Sequence, residues 1–225
     1  MFFEKKITVR KLFTLWIAAG LAMAASAQET PRFSGGLTAG ISASQINGDD
    51  SDGYNKLGLV AGVRGEARLN ERNALSIELL YAQRGSQSQF IRRDADDLSF
   101  DFSLRTDYIE VPVLWNYGLG AAIPGDDDTP GYQRWRIMAG ASYARFIGSK
   151  VDEISSLSLV APDFLKKNDG SAILGLSVQP NPYLSIQVRW VHSVLFMYNP
   201  RQWPNPPLPH GWQAHSLYFT LGLRL

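Results

Sequence analysis

Stretch after stretch of this chain places an apolar side chain at every second position, with Gly, Ser, Thr or a charged residue between. Successive side chains of a strand point to opposite faces, so a period of two sorts them into one greasy and one polar face. In FSGGLTAGISA, Phe33, Leu37, Ala39, Ile41 and Ala43 oppose Ser34, Gly36, Thr38, Gly40 and Ser42. LGLVAGVRGEARL sets Leu57, Leu59, Ala61, Val63, Ala67 and Leu69 against Gly58, Gly62, Arg64, Glu66 and Arg68. LSIELLYAQR sets Leu75, Ile77, Leu79 and Tyr81 against Ser76, Glu78, Ala82 and Arg84. In YIEVPVLWNY, Ile109, Val111, Val113, Trp115 and Tyr117 oppose Glu110, Pro112 and Asn116, and Pro112 leaves one ladder donor missing. WRIMAGASYA, SAILGLSVQ, LSIQVRWVHS and SLYFTLGLRL bring the set to about eight.

Two architectures use such strands: a sandwich whose greasy face is a protein core, and a barrel whose greasy face meets lipid. The amino terminus helps to separate them. Lys5, Lys6, Arg10 and Lys11 precede the apolar LFTLWIAAGLAMA and the small-x-small run Ala25-Ser26-Ala27, the pattern of a cleaved export signal. The apolar run is shorter than the roughly 20 residues that span a bilayer as a helix. Residues 1–27 are therefore expected to be a removed signal peptide, and 28–225 the mature domain. The signal holds four of the 22 basic residues and one of the 21 acids, Glu4, which leaves 18 basic against 20 acidic side chains. A mature chain this close to neutral carries no footprint for nucleic acid. With no cysteine in an exported chain, no disulfide staples the fold.

Amphipathic strands of roughly ten residues, in even number, behind an export signal, predict an eight-stranded antiparallel up-and-down transmembrane β-barrel. Closure follows from the solvent, because an open sheet edge in hydrocarbon leaves N–H and C=O groups unpaired at several kcal/mol each. The connections alternate in length. NGDDSDGYNK, 85–104, 149–170 and 196–214 are long, while NERN and PNPY are short and GLGAAIPGDDDTPGYQ is an overlong turn. Short periplasmic turns and long extracellular loops are the expected arrangement, with both termini in the periplasm of a Gram-negative cell. Trp115, Tyr117, Trp135 and Tyr183 are expected to mark the periplasmic interface, and Tyr81, Tyr143 and Trp190 the outer one. On the final strand Phe219, Leu221, Leu223 and Leu225 are placed on the lipid side, with Tyr218, Thr220, Gly222 and Arg224 inward. That segment resembles the carboxy-terminal targeting strand that barrel-insertion machinery reads, with Leu225 where an aromatic residue is usual.

An eight-stranded barrel leaves a lumen just wide enough for its own side chains. The inward set contains Arg64, Glu66, Arg68, Glu78, Arg84, Glu110, Arg136, Arg189 and Arg224. Opposite charges confined there are expected to pair into a plug, because unpaired ions would be costly to desolvate. Six arginines against three glutamates would make any leak anion-preferring. Candidate chemistry is sparse. His192, His210 and His215 fall near the outer ends of the last two strands, and a lipid-modifying enzyme would need such a base beside Ser193 or Ser216. Polar rim residues are the more economical reading of all five, so no catalytic residues are assigned. GDDSDG carries Gly48 where a calcium loop needs an acid, and GDDDTPG reads as a solvated turn. No metal or cofactor is expected. In the last long loop, NPRQWPNPPLPHGW combines Pro206 and Pro207 with Trp203 and Trp212 in a stiff, extended segment suited to capping the mouth or contacting a partner.

The segments GLTAGISASQI, SIELLYAQRGSQ, DYIEVPVLWNY, RIMAGASYARF and DFLKKNDGSAILGLSVQ also resemble the PorT-like small outer-membrane β-barrels of Bacteroidota. The resemblance spans nearly the whole mature chain. It implies a barrel in the outer membrane, and a role near those of its members: secretion across the outer membrane, or accessory subunits of envelope complexes. Three functions are compatible with the residues: a non-enzymatic accessory subunit with outer-membrane or periplasmic protein partners, a small pore or ligand-binding barrel, and a lipid-modifying enzyme. The plugged lumen favours the first.

Overall fold

A computed structural model describes residues 32–47, 53–87, 102–125, 130–153, 166–197 and 211–225. The signal segment, Trp203, Pro206, Pro207, His210 and the acidic runs at 48–52 and 126–129 lie outside the described residues. Phe33–Leu225 is a compact unit of its own. Its eight strands are β1 (Phe33–Asn47), β2 (Lys56–Arg68), β3 (Asn73–Gln87), β4 (Phe102–Leu119), β5 (Trp135–Glu153), β6 (Asn168–Val178), β7 (Leu184–Ser193) and β8 (Gln213–Arg224). Each pairs antiparallel with its sequence neighbour, and β8 returns to β1 from Gly36↔Arg224 to Asn47↔Gln213, so the sheet is a closed barrel without an edge.

The stagger of that barrel can be followed residue by residue. Ser34 pairs with Glu66, Glu66 with Ser76, Ser76 with Leu114 and Leu114 with Gly140. Gly140 pairs with Ile173, Ile173 with Val191, Val191 with Ser216, and Ser216 with Ser44. One circuit thus leaves Ser34 and returns at Ser44, ten residues along the same strand. Such a shear tilts the strands by about 35–45° and narrows the interior to side-chain width. Glycine permits the closest approaches. At Gly62 an added Cβ would run into the Leu79 carbonyl, and at Gly140 into that of Val113. The β3–β4 ladder is interrupted between Ile77↔Val113 and Leu80↔Glu110, opposite Pro112, as a residue without an N–H requires.

The distribution of side chains is that of a water-soluble protein turned inside out. Leu57, Val63, Ile77, Leu79, Leu174 and Leu221 are each more than half exposed on the outer surface, while Glu78, Arg84, Glu110 and Arg189 are at most 2% exposed. An apolar exterior of this extent is insoluble in water and matches hydrocarbon. On β3 and β4 its upper limit is sharp. The outward positions of β3 run Leu75, Ile77, Leu79, Tyr81 and then Gln83; those of β4, read in the same direction, run Tyr117, Trp115, Val113, Val111, Ile109 and then Asp107.

At one end of the barrel lie 69–72, 120–125, 130–134 and 179–183, together with the start of β1 and the finish of β8. At the other lie the finish of β1, β3, β5 and β7 and the starts of β2, β4, β6 and β8, which the four longer connections join in sequence. The described parts of the overlong turn after β4 are held together by an Ile123↔Tyr132 bridge and fold over the short-turn mouth. Arg68 Nη2 donates to Gly131 O at 2.7 Å, Gln133 Nε2 to Glu71 O at 3.1 Å, and Tyr132 Oη to Pro180 O at 3.3 Å.

Candidate functional site

The inward charges gather in two clusters. Nearer the short-turn end, Arg189 of β7 spans the lumen to Glu78 of β3, with Nη1–Oε2 at 2.6 Å and Nη2–Oε1 at 2.7 Å. Arg189 also bonds Gln187 two positions along its own strand. Arg64 pairs with Glu66 and lies 3.6 Å from Glu78, and Arg136 of β5 donates to Glu66 at 2.8 Å. Two carboxylates here are shared among three guanidinium groups. Arg68 and Arg224 lie half-buried at the rim below them, Arg68 anchored to the overlong turn. Under that turn a cavity of about 510 Å³ is lined by Arg68, Glu71, Arg72, Gln133 and Arg136.

Nearer the long-loop end the stoichiometry reverses. Arg84 of β3 donates to Glu110 at 2.7 Å, to Asp169 of β6 at 2.8 Å and to the Tyr218 hydroxyl of β8 at 2.7 Å. Tyr218 in turn donates to Glu110 at 2.9 Å, while Ser171 at 3.1 Å and Ser193 donate to Asp169. A single cation holds two carboxylates and a phenol, and its guanidinium also lies 5.4 Å from the ring centre of Tyr108.

Between the clusters lies a largely apolar layer. Val60, Leu80, Ala82, Leu114, Ile173, Val191 and Tyr218 form one packed group, each at most 2% exposed. The chain order fixes their place: β3 runs Glu78, Leu80, Ala82, Arg84 along its inner face, and β7 runs Arg189, Val191, Ser193. Ions crossing the barrel would have to displace two buried ion-pair networks and dewet an oily constriction between them.

The nine sequence-predicted lumen charges all lie on inner-face positions, and seven of them enter these two clusters. Asp169 was not among the expected residues. It sits one position inside the start of β6, directly after Lys166, Lys167 and Asn168, where alternation has barely begun. The apolar layer also went unread, although a signal exists. On several strands an apolar residue stands out of phase among the inward positions, as in Leu59-Val60-Ala61, Leu79-Leu80-Tyr81, Val113-Leu114-Trp115, Ala172-Ile173-Leu174, Trp190-Val191-His192 and Leu217-Tyr218-Phe219. Those six are members of the packed group.

On the outer surface Trp115, Tyr117, Trp135 and Tyr183 stand at the short-turn end, all exposed, with Trp115 Nε1 bonded to Asn73 Oδ1 at 2.8 Å. Tyr81, Tyr143 and Trp190 stand toward the other end, where Tyr143 Oη donates to Asn168 Oδ1 at 2.8 Å. Phe219, Leu221, Leu223 and Leu225 are exposed on the same surface.

One sequence reading requires correction. Trp212, expected as an exposed contact anchor, is 3% exposed. The inward parity of β8 continues past Ala214, which turns the ring into the barrel mouth, where its carbonyl also accepts from the Met197 N–H at 2.8 Å. The His–Ser pairing that a lipid-modifying enzyme would need is absent at these strands. His192 and His215 are half-buried on the outer surface, whereas Ser193 and Ser216, one residue along, are buried on the inner one. The wall of the barrel separates base from nucleophile. Among the described residues no three His, Cys, Asp or Glu side chains converge on a metal site.

Solved structures with a similar fold include Ail of Yersinia pestis in complex with the heparin analogue sucrose octasulfate, at 12% identity and a TM-score of 0.45, covering 86% of this chain and 99% of that one. Neisserial surface protein A (NspA) matches at 10% identity and 0.42, covering 88% and 100%. OprG from Pseudomonas aeruginosa matches at 9% and 0.37, covering 86% and 94%. No curated protein matches the chain. Residues 25–197 match the family described as "Outer membrane protein beta-barrel domain". With a closed barrel of eight antiparallel strands, an apolar outer band and that match over most of its length, the chain belongs to the outer membrane protein beta-barrel domain family.

Proposed function

We propose that the protein is a non-enzymatic accessory subunit of an outer-membrane complex, serving secretion or envelope assembly as the PorT-like resemblance implies, and that it works as a closed wall rather than as a pore. The observation that carries this reading is the double closure of the lumen, two buried ion-pair clusters with an apolar layer between them. A barrel sealed in this way has only its surfaces to offer: the lipid-facing band, the long loops and the short-turn end with its arginine-lined cavity. In this reading residues 1–27 are removed on export, both termini face the periplasm, and the final strand with Phe219, Leu221, Leu223 and Leu225 is recognised during insertion. The loop bearing Trp203, Pro206 and Pro207 presents a contact to a neighbouring outer-membrane or periplasmic protein.

The test is affinity purification of the full chain from outer membranes in mild detergent. The expected result is one or more envelope proteins co-eluting in fixed stoichiometry and lost when the loop around Trp203 is replaced by a short Gly-Ser linker. A lone monomer under conditions that preserve known membrane complexes would contradict the reading.

A further inference from the structure

His192 and His215, which do not meet Ser193 or Ser216, form a pair of their own. His192 on β7 and His215 on β8 are directly paired across the ladder, with ring centres 4.3 Å apart and Nδ1 atoms 2.7 Å apart. Two lone pairs cannot face each other at that separation, so an electrophile must stand between them: a proton carried by one ring, or a metal ion. The rings are held from one side, since Trp190 stacks on His192 at 5.2 Å with an interplanar angle of 24°. His215 Nε2 is buried and has no hydrogen-bond partner, so the Nδ1 contact to His192 is the polar interaction that positions this ring. Gln45 stands opposite His215 on β1 and Ala172 opposite His192 on β6. On β8 the pair lies at the end of the apolar run, where Gln213 and His215 precede Leu217, Phe219, Leu221 and Leu223, whereas on the β7 side Trp190 precedes His192 and the exposed Val194, Leu195 and Phe196 follow it. Both rings are only partly buried, so water can fill further coordination positions from the side of Gln45 and Gln213.

We propose that His192 and His215 chelate a divalent copper ion through their two Nδ1 atoms at the membrane–water boundary. Distance decides which metal fits. With metal–nitrogen bonds of about 2.0–2.1 Å, two cis ligands at a right angle stand about 2.9 Å apart, and two tetrahedral ligands about 3.3 Å apart. From the observed 2.7 Å the first arrangement needs the rings to part by only about 0.2 Å, which a cross-strand pair absorbs, whereas the second needs about 0.6 Å. Tetragonal coordination by imidazole is the preference of Cu²⁺, and the general order of affinities among divalent ions points the same way. Binding releases no proton: the ring that donates through Nδ1 shifts its proton to Nε2, both Nδ1 lone pairs go to the metal, and the site gains the two positive charges of the ion. The site lies outside the lumen and does not depend on the plug.

The purified full-length mature chain, without a histidine tag, is titrated with Cu²⁺ buffered by glycine and followed by electron paramagnetic resonance and calorimetry. The expected result is a high-affinity equivalent whose spectrum shows two equatorial nitrogens. His192→Ala and His215→Ala should each weaken it at least about tenfold, the scale on which lost ligand support acts, and the double variant little further, since either ring alone cannot chelate. His192→Gln keeps size and polarity at the rim and should behave like His192→Ala, with folding checked by heat-modified gel mobility. Zn²⁺ should bind more weakly than Cu²⁺. Unchanged copper affinity in folded His192→Gln and His215→Ala proteins would place the metal elsewhere and overturn the proposal, as would a wild-type spectrum with fewer than two nitrogens.

Discussion

The two charge clusters inside the barrel solve one electrostatic problem in opposite ways. Toward the short turns, Glu66 and Glu78 are served by Arg64, Arg136 and Arg189, so each carboxylate has more than one guanidinium within reach. Toward the long loops, Glu110 and Asp169 both depend on Arg84, with hydroxyls of Tyr218, Ser171 and Ser193 completing the shell. The first is redundant and the second has a hub. Breaking a buried pair by removing one partner costs about 3–5 kcal/mol because the other ion is left uncompensated. Redundancy should soften that loss and a hub should magnify it.

The largest effect is therefore expected at the hub. Arg84→Leu strands two buried carboxylates and should lower stability by about 3–5 kcal/mol, read as a fall in the urea midpoint of the barrel in lipid vesicles. Adding Glu110→Gln and Asp169→Asn to that variant should return much of the loss, a coupling that independent residues would not show. Next comes Glu78→Gln, which removes the bidentate partner of Arg189 and should cost about 3 kcal/mol in the same titration. A smaller effect is expected from the layer between the clusters. Leu80→Ala leaves a void beside Val60 and Leu114 and should cost about 2–3 kcal/mol without opening a conducting path, since the ion pairs on both sides persist. The smallest belongs to Arg64→Met. Glu66 keeps Arg136 and Glu78 keeps Arg189, so the shift should stay under about 1 kcal/mol. If Arg64→Met proved as damaging as Arg84→Leu, the contrast between a hub and a redundant network would be wrong.

The same contrast explains what the sequence discloses. Alternation separates Leu75, Ile77 and Leu79 from Ser76 and Glu78 without any structure, because a period of two has only one spatial meaning once the chain is extended. It also places Arg84, Glu110 and Arg189 inside. What alternation cannot give is who meets whom: Arg189 and Glu78 are 111 positions apart, and Arg84 and Asp169 are 85. Those meetings are set by the stagger of ten residues, which accumulates over eight separate registers. Asp169 escaped because it stands at the start of β6, before its strand has declared a pattern. Trp212 was misplaced for the converse reason, since the inward parity of β8 reaches beyond its last clear alternation into a proline-rich loop. The out-of-phase residues such as Val60 and Leu80 were visible as doubled apolar positions. Their meaning as one layer needed the tilt of the strands.

The central claim, that two ion-pair clusters and an oily layer close this barrel, is tested most directly by recording current through the wild-type protein reconstituted in planar lipid bilayers. A flat trace under an applied voltage, with insertion verified by heat-modified mobility of the protein recovered from the same vesicles, is the predicted result. Stable unitary steps from the wild type, with reproducible conductance and anion preference, would contradict it.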